Sequence, residues 1–378
     1  MNIYFDNAAT TQLDQRVLDT MMPFMIDSFG NPSSIHKHGR EVKAAIENSR
    51  NKIADILGAS PSEIFFTSGG TEADNTFLIN TVLTKKTSIA ISSKIEHHAV
   101  LHTLEELEKR NLLNLHFVNL DSKGHIDYNH LEKLISKNPN SLVSLMHGNN
   151  EIGNLTDLER VGSICKEHNA IFHSDTVQTI GHFVHNLSKI NIQSIVGSAH
   201  KFHGPKGVGF LYISNNHKIP PYIMGGSQER NMRGGTENVS GIIGLAKALE
   251  IAAEEMQETK KHIMNLKSKM IELLSSSLDN VLFNGDSKSM EKSLYHVLNV
   301  AIPNIEDKQM FLFNLDINKI SVSAGSACSS GSTKNSHVIN ELKLSELYTA
   351  IRLSFSKLNT FDEVEYVAKK IVELQKTS

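Results

Sequence analysis

The sequence predicts an α/β protein: a large domain built on a mostly parallel sheet covered by helices, followed by a smaller α+β domain. Three observations carry this. Short apolar segments alternate with helix-forming ones as far as residue 213, the pattern of parallel strands joined by helical crossovers. The alternation then gives way to an almost unbroken run of helix formers over 237–278, too long for an average helix. Beyond that run, strands and helices recur without regular alternation.

Taken in order, strands are predicted at 63–67, 88–91, 115–118, 142–145, 170–173, 194–197 and 207–213. Helices fall between them at 71–83, 99–110, 128–136 and 157–168. The run 237–278 reads as one bent helix or two abutting ones leading out of the large domain, which spans about 14–249. The small domain combines an N-terminal strand within 1–13 with residues 250–378. It holds strands at 281–283, 295–298, 320–322 and 350–353, and helices at 307–315 and 362–375. Between its strands lies Ser323-Ala324-Gly325-Ser326-Ala327-Cys328-Ser329-Ser330-Gly331-Ser332. Residues this small and polar build no core, so a flexible loop is expected.

Composition narrows the function. The 378 residues are 39% hydrophobic and 21% charged, with a formal net charge of −3. That balance exerts no general pull on nucleic acid or anionic lipid, so neither is an expected partner. Two cysteines cannot staple a disulfide scaffold. No apolar run reaches the length of a membrane span, and the start, Met1-Asn2-Ile3-Tyr4-Phe5-Asp6, has no signal-peptide pattern. A cytoplasmic address is expected. Nineteen histidines raise the question of metal, but there is no His-Glu-x-x-His and no Cys-x-x-Cys, and no metal is expected.

The chemistry concentrates after strands. Lys201, in Ser198-Ala199-His200-Lys201-Phe202-His203-Gly204, follows the strand ending at 197. Ligands of parallel sheets bind beyond the strands' carboxyl ends. A lysine there can react with a carbonyl cofactor, or be only a solvated loop lysine. Asp175 follows the strand at 170–173. It can pair with a protonated pyridine nitrogen, or cap a turn, and Gln178 lies three residues on. Thr67-Ser68-Gly69-Gly70-Thr71-Glu72 leaves a strand and opens a helix, where free N–H groups and the helix dipole suit a phosphate. His97 and His98 open the helix after the strand at 88–91. An imidazole there can stack on a flat ring, move protons or merely cap the helix. Asn149-Asn150-Glu151 follows the strand at 142–145. Cys165 lies on the apolar stripe of a helix, as a core thiol would. Cys328 is solitary among small residues, an accessible and potentially reactive thiol. Together these types complement pyridoxal phosphate: cradle, stacking ring, pyridinium partner and reactive lysine.

The chain resembles cysteine desulfurases of the NifS/IscS type, in the class V aminotransferase family of pyridoxal-phosphate enzymes. The likeness runs from Tyr4-Phe5-Asp6-Asn7-Ala8-Ala9-Thr10-Thr11 to Arg352-Leu353-Ser354. It includes Ser68-Gly69-Gly70-Thr71-Glu72, Glu96-His97-His98-Ala99-Val100, Met146-His147-Gly148-Asn149-Asn150-Glu151-Ile152-Gly153 and Arg233-Gly234-Gly235-Thr236. The Cys328 loop is similar to that of the long-loop group.

The resemblance implies a type I pyridoxal-phosphate fold and assigns roles. Lys201 would carry the cofactor covalently. Asp175 would meet its pyridinium, Gln178 its phenolic oxygen, and His97 would stack on the ring and move protons. Gly70, Thr71, Ser198 and His200 would hold the phosphate, with Thr236 arriving from the partner subunit of a homodimer. Asn150 would touch cofactor and substrate, and Arg352 would grip the carboxylate of L-cysteine. Cys328 would take its sulfur as a persulfide for a sulfur-acceptor protein, of scaffold or tRNA-thiolation type, as in iron–sulfur cluster biogenesis. Selenocysteine lyase, or another class V transferase or lyase, is the alternative. The sequence departs from the family at Ser354-Phe355-Ser356-Lys357, where Ser-x-Gly-Arg is frequent.

Overall fold

Seven strands form the central sheet of the computed structural model, which describes residues 2–85, 87–324 and 336–377. Their order across the sheet is Ile64–Thr67, Gly209–Ile213, Ser194–Ser198, Ile171–Asp175, Leu142–Ser144, Ile89–Ser92 and Asn114–Phe117. The last five are mutually parallel, and Gly209–Ile213 runs against both neighbours. The reversal follows from chain length. The link from Ser198 to Gly209 is too short for the crossover that a parallel pair requires. It also needs a glycine, because a Cβ on Gly197 would collide with the Phe210 ring.

Successive strand residues face opposite sides of the sheet, and both sides are apolar. Ile91, Val143, Phe172 and Ile195 pack on one side with Val17, Val42, Ile46, Ile53, Leu131, Val161 and Leu245. Ala90, Leu142 and Val196 pack on the other with Ala73, Phe77, Leu78, Val100 and Leu104. Helices therefore cover both faces, and the predicted strand–helix alternation stands. Two helices were not foreseen, Gln15–Ile26 and Lys37–Leu57. Their signals are local: Asp14 and His36 accept the capping bonds, and Gly58 ends the second helix at φ 64°.

The run 237–278 is two helices, Val239–Glu254 and Met256–Ser277, abutting at Glu255. The second enters another apolar core. Leu266, Met270 and Leu274 pack there with Ile3, Phe5, Leu298, Val300, Ile351, Leu353, Val364 and Val367. Its sheet is antiparallel, with Val297–Pro303 between Leu282–Phe283 and Tyr348–Ser354. The strand expected at 295–298 thus starts two residues later and runs further. Ile3–Tyr4 pairs in parallel with Ile320–Ser321. Among the described residues, no helix is long and apolar enough to cross a membrane.

Cys165 is buried in the first core, where burial pushes its thiol up to about 12. Lys357, at the departure from the family pattern, bonds Asp14 at 2.9 Å and Glu255 at 2.8 Å. Arg16 joins the same two carboxylates, so four charges tie the helix junction to the two ends of the chain.

A deeper ion pair holds the sheet's edge. Arg50 and Glu229 are 1% and 5% exposed and bond bidentately, both contacts at 2.8 Å. Glu229 also accepts the Phe66 N–H at 2.7 Å, while Arg50 donates to Ile64 O at 2.7 Å. The pair fixes the segment Glu229–Asn231, whose three residues have positive φ. Glu229→Ala would leave the buried guanidinium with only the partly exposed Glu47, 3.2 Å away, as its counter-charge. It is expected to cost about 3–5 kcal/mol of folding stability, measured by denaturant unfolding; a loss under about 1 kcal/mol would contradict the assignment.

Candidate active site

Parallel strands end together, and five of their continuations bring chemistry to one edge. Lys201 closes a short turn directly after the strand Ser194–Ser198. Its Nζ donates to Ala8 O at 2.7 Å and Ala9 O at 2.8 Å. Asp175 is the last residue of the next strand and is 6% exposed, with Oδ1 accepting the Val177 N–H at 2.9 Å. Gln178 lies just beyond. Its Nε2 donates to Ala8 O at 2.9 Å, so Gln178 and Lys201 share one carbonyl.

His97 caps the helix His98–Lys109, with Nδ1 accepting the Ala99 N–H at 3.1 Å. A ring that accepts at Nδ1 carries its neutral-state proton at Nε2. Burial lowers the pKa of His97; the Asp175 carboxylate pulls it back up, and Lys201 pushes it down again. His97, Asp175 and Lys201 each lie at or just beyond the end of a strand of the parallel group, so the fold brings them to one edge.

The strand Ile64–Thr67 ends at Ser68-Gly69-Gly70, and Gly70 opens the helix Gly70–Lys85. A Cβ on Gly70 would come within 2.6 Å of Val177 Cγ2, and one on Gly69 would stand 3.7 Å from Ser198 Oγ. The backbone thus passes close to both Ser198 and the Asp175 turn, which a larger residue at 70 would prevent. Thr71 is exposed at the helix start, and Ser198 is buried. His200 bonds Thr10 Oγ1 at 3.2 Å, and burial first, then Lys201 and Lys206, lower its pKa to about 4. Thr236 is exposed, in a turn whose Arg233 pairs with Glu72 at 3.1 Å.

Arg352 comes from the second core and is 1% exposed. One terminal nitrogen donates to Asn150 O at 2.9 Å and the other to Asp6 Oδ1 at 2.7 Å. Its Nε is buried and has no hydrogen-bond partner among the described residues, a donor open to a ligand. Cys328 lies outside the described residues.

These residues fit pyridoxal phosphate on observations of this chain alone. A reactive amine, a buried carboxylate, a neutral imidazole and a glycine-lined helix start converge, beside a buried guanidinium with an open donor. Pyridine, ring face, phosphate and an amino acid's carboxylate each find a complementary group.

Several residues at the site escape sequence reasoning. The carbonyls of Ala8 and Ala9 and the carboxylate of Asp6 come from far along the chain. Below Asp175 lie Asp74 and Glu96, each 1% exposed. Burial raises both carboxyls well above their usual range, and the Asp175 charge raises them further. His173 stands 3.3 Å from Asp74 and stacks on Phe77. Burial lowers the His173 pKa to about 3, so this contact joins two neutral groups. Asp74 had a signal: a carboxylate on the apolar face of the helix Gly70–Lys85, among Ala73, Phe77 and Leu78.

That arrangement has a pH consequence. The folded Asp74 carboxyl holds its proton above the unfolded value of about 4. Its contribution to stability is complete below that value and is lost as pH rises toward the folded pKa. Asp74→Asn removes this loss. The melting temperature of the variant relative to the parent should therefore climb as pH rises from about 5 toward the folded pKa of Asp74. A difference independent of pH would show that Asp74 is ionised in the folded protein.

Known proteins resemble this chain along its whole length. The family model for Aminotransferase class-V matches residues 3–367. A cysteine desulfurase IscS of Dictyoglomus turgidum is 41% identical over 382 residues, covering 99% of this chain and 95% of that protein. One from Clostridium botulinum is 40% identical, covering 99% and 94%. Among solved structures, a NifS-like protein is 40% identical and superimposes with a TM-score of 0.92, covering both chains completely. The fold is thus shared along the whole length, and the chain belongs to the class V aminotransferase family.

Proposed function

We propose that this protein is a cysteine desulfurase that uses pyridoxal phosphate, converting L-cysteine to L-alanine and passing the sulfur to Cys328. The observation that carries the reading is the meeting of Lys201, Asp175 and His97 at one sheet edge, where Lys201 and Gln178 bond the same Ala8 carbonyl. Relatives named cysteine desulfurase, about 40% identical over nearly the full length, support the reaction.

Lys201 would hold the cofactor and Asp175 its ring nitrogen; when bound, the group supplies an electron sink for charge left on the substrate's α-carbon. Gln178 offers an amide N–H toward the ring oxygen. Gly70, Thr71, Ser198 and His200 offer donors to the phosphate. We assign Thr236 to the same phosphate across a homodimer interface, where its exposed hydroxyl would reach the partner's site. His97 would stack on the ring; moving a proton through it requires Nδ1 to release the Ala99 N–H, because the neutral ring that accepts at Nδ1 already holds its proton at Nε2. Arg352 grips the carboxylate, and the Asn150 carbonyl orients its guanidinium.

Atoms balance without an outside oxidant. Cysteine gives its sulfur to the thiol of Cys328, which becomes a persulfide, and the carbon skeleton leaves as alanine. The persulfide would serve a sulfur-acceptor protein. The two apolar cores would act as separate domains meeting near Glu255, with the first thirteen residues belonging to the second.

Two measurements test this. Lys201→Ala should lose the visible absorbance of bound cofactor and all alanine production, while Lys206→Ala keeps both. Alanine formation at the parent rate by Lys201→Ala would sink the assignment. Mass spectrometry after cysteine treatment should find a gain of about 32 Da, one sulfur atom, on the Cys328 peptide. Cys328→Ser should abolish that gain while still binding cofactor and cysteine. A sulfur adduct on buried Cys165 would instead refute the route.

A further inference from the structure

Arg352 is read above as the group that binds the substrate's carboxylate, yet it already holds one. Asp6 Oδ1 stands 2.7 Å from its terminal nitrogen, in a salt bridge whose arginine is 1% and whose aspartate is 17% exposed. Among the described residues, the guanidinium's other hydrogen bond is to a neutral carbonyl, Asn150 O, at 2.9 Å. A guanidinium has five N–H donors in a fixed fork. With one spent on Asp6 and one on Asn150, three remain, among them the buried, unpartnered Nε. The arginine can therefore accept a second carboxylate without releasing the first.

Asp6 is itself firmly placed. Backbone pairing joins Asp6 to Ser354, two residues beyond Arg352 on the same strand. On either side, Phe5 N donates to Ser321 O at 2.9 Å and Ala8 N to Ser354 Oγ at 2.8 Å. The carboxylate does not swing in from solvent; the chain delivers it.

We propose that Asp6 is a positioning residue that acts through Arg352 as a permanent internal counter-carboxylate, setting how tightly the site holds the α-carboxylate of an amino acid. This rests on the reading of Arg352 as the carboxylate site. Asp6 fixes the guanidinium's plane and offsets its charge. A substrate or product carboxylate then binds through the remaining donors against the repulsion of Asp6. Tight capture of the carboxylate would hold alanine as firmly as cysteine, because the two share that group; the counter-charge loosens both and favours release of product.

Charge and geometry separate in Asp6→Asn, which keeps an oxygen to accept from Arg352 but removes the negative charge. Binding to the cofactor-loaded protein is read from the absorbance change of the bound cofactor. The probes are L-alanine and ethylamine, the same amine without a carboxylate. Asp6→Asn should bind L-alanine at least about fivefold more tightly, since like charges a few ångströms apart in a buried site repel strongly. Its affinity for ethylamine should stay at the parent value. Unchanged or weaker alanine binding, or equal tightening for both probes, overturns the proposal. Arg352→Gln tests the underlying reading separately: it should weaken alanine and spare ethylamine. If it does not, the reading of Arg352 fails and the role of Asp6 falls with it. If it does and Asp6→Asn leaves alanine unchanged, only the role of Asp6 fails.

Discussion

The segment Phe5–Thr11 is the seam on which the site depends. Phe5 is packed in the second core. Asn7 donates to Ser354 O at 2.8 Å. One step on, Ala8 O accepts from both Gln178 and Lys201, and Thr11 N donates to His200 O at 2.9 Å. Seven residues thus run from the core that holds Arg352 to the sheet edge that holds Lys201. Backbone polar groups in a buried segment must find partners, and these find them in the side chains of the site. Lysine, glutamine and arginine take their places because this segment supplies the carbonyls and the carboxylate they bond.

Electrostatics divides the labour among the buried acids. Asp74, Glu96 and Asp175 lie close enough for the Asp175 charge to raise the other two. Burying three ionised carboxylates together is prohibitive. The fold resolves this by pushing the carboxyls of Asp74 and Glu96 toward their protonated forms. Asp175 stands at the strand's end, where a pyridinium would need a carboxylate. His173 beneath is neutral as well, packed on Phe77 and bonded through Nδ1 to Ser144 Oγ at 2.9 Å. The layer under the site is polar yet uncharged, and it does not compete with Asp175 for the partner above.

The extent to which this was legible in the sequence follows the range of each interaction. Strands such as Leu142–Ser144 and helices such as Leu158–Glu167 are written locally, by apolar runs and by the cap Asp157. So are the strand-end positions of Lys201, Asp175 and His97, because ligands of parallel sheets gather at one edge. The antiparallel turn of Gly209–Ile213 needed the length of a connection, not its composition. Arg50 with Glu229, Asp74 with His173 and Asp6 with Arg352 were invisible for a common reason: each partner looks ordinary alone, and only the fold makes them neighbours. The helices Gln15–Ile26 and Lys37–Leu57 are amphipathic and capped, but they lie outside the strand–helix alternation and lack the contrast of a strand-to-helix switch.

Division of the site between two cores has a chemical logic. The sheet edge presents the groups suited to a cofactor, and the second core presents the arginine suited to a substrate. Positioning two reactants can supply a large part of a rate enhancement only if their supports hold still relative to each other. The junction is braced for this. Glu255 interrupts the helical run between Val239–Glu254 and Met256–Ser277, and there Arg16 and Lys357 clamp Glu255 to Asp14. Exposed ion pairs are individually weak, but this one is a network of four charges from three distant parts of the chain, backed by the seam at Ala8. Lysine at 357 in place of the family's frequent arginine keeps the charge and forgoes the planar fork. Two carboxylates that approach one ammonium from different elements need no fork, so the departure leaves the brace intact and Arg352 free for the carboxylate it is proposed to hold.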